Sequence, residues 1–164
     1  MSAPSDLERL LSQEGRAQAR DLGERLARWP KAWRPQLILV SAARRTRETL
    51  EQLKGSWPEL AAAETLCAEE LYLGAPEVWL AHLAPLTGER TVLCVGHNPG
   101  LSDLVGALAG SYESLGVAEA VGLTLSGAEG AEGAAALSPW AEAPSRRWRL
   151  EGRACGRAAG RAEG

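Results

Sequence analysis

Two short stretches place ionisable side chains where a strand hands over to a helix. His97 follows the apolar run Thr91-Val-Leu-Cys-Val95 and sits in Gly96-His97-Asn98-Pro99-Gly100, ahead of Leu101, Leu104, Val105 and Leu108 at helical spacing. In open α/β sheets, ligands bind beyond the carboxyl ends of the strands. The next helix offers free N–H groups and a partial positive charge there, which suits an anion. A second junction has the same character: the strand-like run Gln36–Val40 and Ser41-Ala-Ala43 lead into Arg44-Arg45-Thr46-Arg47. An arginine holds two phosphate oxygens through its planar fork, with a charge that does not titrate away. If the two strands are parallel neighbours, Arg45 and His97 meet above one sheet edge and form a small cationic pocket for a phosphoryl group.

Blander readings stand beside this one. A histidine after a strand more often makes a structural hydrogen bond, and arginines at a helix start are more often solvated. Both features at equivalent strand ends bring the functional reading level with these. His82 falls mid-helix beside Trp79 and Leu83, the place of a core-edge or surface imidazole. Glu69 and Glu70 precede Tyr72-Leu-Gly74 and could supply a proton donor, or be solvated.

The elements that must position these groups alternate between helix and strand, the pattern of an α/β sandwich with a largely parallel sheet. Ser12 reads as an N-cap, and Ala17, Ala19, Leu22 and Leu26 recur until Trp29-Pro30 stops the helix. A second helix runs from about Arg44 to Leu53, and Thr65–Ala68 forms a weak strand. Ala75-Pro76 opens a third helix. Thr91–Val95 reads as the clearest buried strand, with later strands over Val117–Leu125 and Arg146–Leu150 and a Gly/Ala/Glu-rich loop over Ser126–Ala135. With 164 residues, 45% hydrophobic and 24% charged, the chain can bury one core. One domain is expected over residues 1–151, with a flexible Arg/Gly/Ala-rich tail over 152–164.

Charge and cysteines narrow the function classes. The net charge of −3 provides no global field for nucleic acid. Residues 145–164 hold six Arg and two Glu, read as a solvated terminus rather than an anion contact. Cys67, Cys94 and Cys155 are odd in number and widely spaced, which supports neither a disulfide framework nor a zinc site. Cys67 and Cys94 lie in apolar runs and are expected to be buried free thiols. No apolar stretch approaches the roughly 18 residues of a membrane span. A cytoplasmic setting follows as the default, without membrane or nucleic-acid partners.

Four segments carry a family resemblance. Asp6-Leu-Glu-Arg9-Leu-Leu-Ser12-Gln-Glu-Gly15 is similar to a "D-x-x-R-P-L-T-x-x-G" entry to a first helix. Leu39-Val-Ser41-Ala-Ala-Arg-Arg45-Thr-Arg-Glu-Thr49 is similar to "S-S-P-x-x-R-x-x-Q-T". Glu69-Glu-Leu-Tyr72 resembles a segment that often carries an acid, and Val92-Leu-Cys-Val-Gly-His97-Asn-Pro-Gly100 resembles "V-G-H-N-P-G". Together, over residues 6–125, they resemble the histidine phosphatase superfamily and its small SixA-type phosphohistidine phosphatase branch. The resemblance implies a three-layer α/β/α sandwich with a largely parallel mixed sheet (phosphoglycerate mutase-like). It also implies hydrolysis without metal or other cofactor, through a phosphohistidine intermediate. The substrate would be a protein phosphorylated on histidine, or another phosphorylated protein or small-molecule phosphoester. Carried over, His97 is the second active-site histidine, Arg45 the phosphate clamp, Arg9 a rim contact and Glu70 the acid.

The departure lies in the nucleophile. The family places it in an R-H-G motif at the end of its first strand, and no R-H-G occurs in this sequence. The family's first strand, its nucleophile and the partnering Arg are therefore expected to be missing. Loss of a nucleophile leaves only the residual catalysis of the remaining electrostatics. Three readings follow, in order: a gene start set too far downstream in a working phosphatase; a degenerate member that binds phosphorylated ligands without hydrolysing them; an unrelated α/β binding domain.

Overall fold

Leu37–Ser41 is a short apolar run ending in serine. In the computed structural model, which describes residues 5–86, 91–125 and 148–158, it forms strand β1, buried at every position. A strand buried on both faces needs ladders on both sides and covering elements above and below. β1 has both. It pairs in parallel with β2 (Glu64–Ala68) on one side and with β3 (Val92–Val95) on the other. Its side chains alternate between two layers. Ile38 and Val40 pack with Leu22 and Leu26 of α1 (Gln13–Leu26) and with Leu50 and Leu53 of α2 (Arg44–Ser56). Leu37 and Leu39 pack with Trp79 and Leu83 of α3 (Pro76–Leu83) and with Leu104 and Leu108 of α4 (Gly100–Ala109).

The antiparallel ribbon of β4 (Glu119–Leu125) and β5 (Trp148–Cys155) lies between the same two helical layers. Ala120 and Ala154 pack against the α1/α2 core, while Leu123, Leu125 and Trp148 join the α3/α4 core. Gly122 and Gly152 face each other in register, and the Trp33 ring lies against both, where a Cβ on either would stand 2.8 or 2.9 Å from Trp33 Cζ3. The architecture is a three-layer α/β/α sandwich with a divided middle layer. Among the described residues no ladder joins β3 to β4, so each has one paired edge. Burial pushes the Cys94 thiol on β3 up to about 12, although the residue, expected to be buried, is only half-buried.

Local chemistry explains the element ends. Ser12 Oγ accepts the Gly15 N–H at 3.0 Å and caps α1. Pro76 stands at the start of α3, and Trp57-Pro58 ends α2 three residues beyond the expected Leu53. Three expectations need correction. Thr91–Val95 is not the most buried strand: β1 is, and in β3 only Val95 is buried, because β3 pairs on one side. Cys67 is exposed rather than buried, since β2 is an edge strand whose side chains are left largely uncovered. β5 continues to Cys155, so residues 152–155, expected in a flexible tail, are strand residues paired to β4. The loop expected over Ser126–Ala135 and the tail residues 159–164 lie outside the described residues.

Gly100, the first residue of α4, packs against the backbone of Gly74. A Cβ there would stand 2.4 Å from the Gly74 carbonyl oxygen, and backbone cannot swing aside as a side-chain tip can. Gly100→Ala is expected to destabilise the fold by about 1–3 kcal/mol, lowering Tm by roughly 2–4 °C for each kcal/mol. A thermal melt matching the wild type would refute this close approach.

Candidate functional site

The parallel pairing of β1 and β3 brings Val40 opposite Val95, so both strands deliver their next residues to the same end of the sheet. Ser41 closes β1 and is fully buried. Its Oγ lies 3.2 Å from His97 Nε2. Thr46 Oγ1 donates to the Ser41 and Ala43 carbonyls, each at 2.8 Å, which ties the first turn of α2 to the strand end. On the other side, the His97 carbonyl accepts the Leu101 N–H at 3.0 Å. Ser102 braces the His97–Pro99 turn: its hydroxyl donates to Asn98 Oδ1 at 2.8 Å and accepts the Leu115 N–H at 2.9 Å. Asn98 Nδ2 donates to the Leu115 carbonyl. His97 is thus held by two rigid junctions.

Arg45 projects from the first turn of α2, a helix start with no side-chain cap and no acid in its first turn. Its guanidinium grips the Asp6 carboxylate end-on, Nη1 to Oδ1 at 2.7 Å and Nη2 to Oδ2 at 3.2 Å. Tyr72 donates its hydroxyl to the same carboxylate at 2.6 Å. The Tyr72 ring stands edge-on to His97, with centroids 5.3 Å apart. Arg9 completes the group from outside, Nη1 to Asp6 Oδ1 at 3.3 Å, with its side chain 64% exposed. Glu48 fixes the approach of this segment to α2 by accepting the Leu11 N–H at 2.7 Å.

The charges act on one another. Hydrogen bonds from Arg45 and then Tyr72 hold the Asp6 carboxyl well below the usual carboxylate range. The Asp6 carboxylate, chiefly through its hydrogen bond, raises the Tyr72 pKa and keeps the phenol a donor. Burial lowers the pKa of His97, and the Arg45 charge lowers it further, with Asp6 opposing them. Both effects favour the neutral imidazole, in which one ring nitrogen donates and the other accepts. Among the described residues no three His, Cys, Asp or Glu side chains stand together as metal ligands.

Residues 3–77 match the histidine phosphatase superfamily (branch 1). An uncharacterized chloroplastic protein of Arabidopsis thaliana is 30% identical over 155 residues, which cover 90% of this chain and 67% of that protein. The chain belongs to the histidine phosphatase superfamily. Its fold is similar to that of SixA from Nakamurella multipartitia (TM-score 0.72, 24% identity, 95% of this chain and 90% of that one). The protein histidine phosphatase SixA complexed with tungstate is similar at TM-score 0.70 and 22% identity, over 94% of this chain and 89% of that one. SixA from Agrobacterium tumefaciens is 29% identical, with a TM-score of 0.57 over 66% of this chain and 68% of that one.

Within this superfamily member, the structure gathers Arg45, His97 and Arg9 around the Asp6–Tyr72 pair. Glu70 is exposed on the turn Glu69–Leu71, and among the described residues no hydrogen bond or ion pair joins it to that group. Sequence reasoning passed over Asp6, Ser41 and Tyr72 as site residues. Each lies inside a segment that carried the resemblance, but their roles depend on which side chains meet across 39 to 66 positions of chain.

Because the Arg45 charge helps depress His97, Arg45→Ala should move the His97 titration midpoint back toward its ordinary value. The shift can be read from the ring C–H resonances by NMR. An unmoved midpoint would show that the guanidinium does not reach His97.

Proposed function

We propose that this chain binds a phosphoryl group at the shared end of β1 and β3, as the anion-binding part of a metal-independent phosphatase site. The ligand class is phosphohistidine on a protein or another phosphomonoester. One observation carries the reading: the Arg45 fork and the Tyr72 hydroxyl both close on a single pair of oxygens, with the His97 ring alongside Tyr72. Two oxygens of a phosphoryl group present the same acceptors with a greater charge. In this reading Arg45 is the clamp and Arg9 the rim contact. His97 faces the anion as a neutral donor that gains charge when proton uptake is favoured. Glu70 keeps the acid's role through the resemblance alone.

Turnover by the family route moves the phosphoryl group to a histidine in an R-H-G motif and then to water. The two histidines here, His82 and His97, stand outside any such motif. The chain as written is therefore proposed to hydrolyse weakly or not at all. The second reading, a phospho-ligand-binding module without catalysis, is favoured by the same missing residue. A cytoplasmic setting belongs to this reading as a default, and the Arabidopsis thaliana relative is a chloroplastic protein. Among the described residues no helix is long and apolar enough to cross a membrane.

Titration with inorganic phosphate tests the site. A hydrogen bond to a charged group contributes about 1.5–3 kcal/mol, so Arg45→Ala, which removes at least one, should weaken binding by roughly 10- to 100-fold or more. Unchanged affinity would place the ligand elsewhere. A p-nitrophenyl phosphate assay tests the missing nucleophile, with little turnover expected. Robust hydrolysis abolished by His97→Ala would overturn that expectation.

A further inference from the structure

The cradle is already filled by the protein itself. Asp6 brings a carboxylate to the Arg45 fork and the Tyr72 hydroxyl, and both of its oxygens are engaged. A phosphoryl group cannot take those donors while the carboxylate holds them. The segment carrying Asp6 is lightly held. It is a three-residue turn, Asp6–Glu8, with Leu7 and Leu10 exposed at 42% and 53%. Among the described residues, the hydrogen bonds tying residues 5–10 to the rest of the fold are those of the Asp6 carboxylate. The next anchor is Leu11, whose N–H is held by Glu48, so the turn can swing away without disturbing α1 or α2.

We propose that Asp6 is a displaceable internal ligand occupying the anion cradle, and that Tyr72 is a further anion-binding residue which passes its hydrogen bond from Asp6 to the incoming oxyanion. This rests on the phosphoryl-site reading above and adds a selection rule to it. A ligand enters only by outcompeting a tethered monoanion, so multiply charged tetrahedral anions are favoured over carboxylates and halides. Displacement also frees Arg9 from Asp6, adding a second guanidinium at the rim.

The opposite role for Asp6 is a prop that holds Arg45 in position, as carboxylates commonly do beside functional arginines. The two roles predict opposite signs. Removing a displaceable ligand tightens anion binding, whereas removing a prop loosens it.

The test is calorimetric titration of the full chain with tungstate, repeated with inorganic phosphate. The wild type is compared with Asp6→Asn, Arg45→Ala, Tyr72→Phe and the Asp6→Asn/Tyr72→Phe pair. Deleting one nearby negative charge at a partly exposed site should tighten binding about fivefold or more in Asp6→Asn. Adding Tyr72→Phe should reverse much of that gain. In the wild type, tungstate should also shift the Asp6 carboxyl ¹³C resonance, a readout that needs no variant to fold. Equal or weaker binding by Asp6→Asn, while Arg45→Ala weakens it about tenfold or more, overturns the displaceable ligand and leaves the phosphoryl site standing. Tighter binding that is insensitive to Tyr72→Phe overturns the role of Tyr72. Binding unaffected by Arg45→Ala, or no binding by the wild type and Asp6→Asn alike, overturns the site and this inference together.

Discussion

The parallel ladder between β1 and β3 is the constraint on which the site depends. Register alone puts Ser41 and His97, 56 positions apart in sequence, within 3.2 Å of each other. Parallel strands require crossover connections, so each strand must turn into a helix at the same end of the sheet. Two helix starts therefore converge where two strands stop. α2 contributes Arg45, and the turn before α4 contributes His97. A slip of the ladder by one residue would face every β1 side chain to the wrong layer, so the buried alternation of Leu37 to Val40 holds the site as firmly as it holds the core.

Charge at this strand end is arranged against the local field. Cations at a helix start oppose the helix dipole, and α2 opens with Arg44, Arg45 and Arg47 and no acid among its first residues. The arrangement is tolerated because acids arrive from elsewhere. Glu48, one turn on, takes Arg44 and Arg16, and Asp6 takes Arg45 and Arg9. The buried parts of the site are neutral hydrogen-bonding groups, Ser41, Thr46 and Ser102, each with partners. The full charges sit at its mouth, where water lessens the cost of holding them.

Much of this was legible in the sequence. The Ser12 cap, the proline at the start of α3, the apolar run of β1 and the glycine-flanked His97 each carry a local signal, and each lies where its pattern places it. The burial of β3 is not legible because an apolar run states what a strand is made of, not how many neighbours it has. The exposure of Cys67 on β2 is hidden for the same reason. The strand over residues 152–155 lacks any apolar periodicity because its Gly152 meets tryptophan rings from the segment between α1 and β1, a contact invisible in a local window. Asp6 and Tyr72 carry no local signal for their meeting, since it depends on long-range packing.

The divided middle layer has a consequence for how the molecule comes apart. A ribbon of two strands is marginal by itself, and among the described residues no ladder ties β4–β5 to β3. It is retained by the packing of Ala120, Ala154, Leu123, Leu125 and Trp148 on the two cores, by Trp29 and Trp33 against its glycines, and just beyond β5 by the Arg157 N–H, which Asp21 of α1 accepts at 2.8 Å. Such a unit can detach while the three-stranded sheet and the strand end bearing Ser41 and His97 persist. Amide exchange in the ribbon would then proceed through subglobal opening, at a lower free energy than exchange in β1.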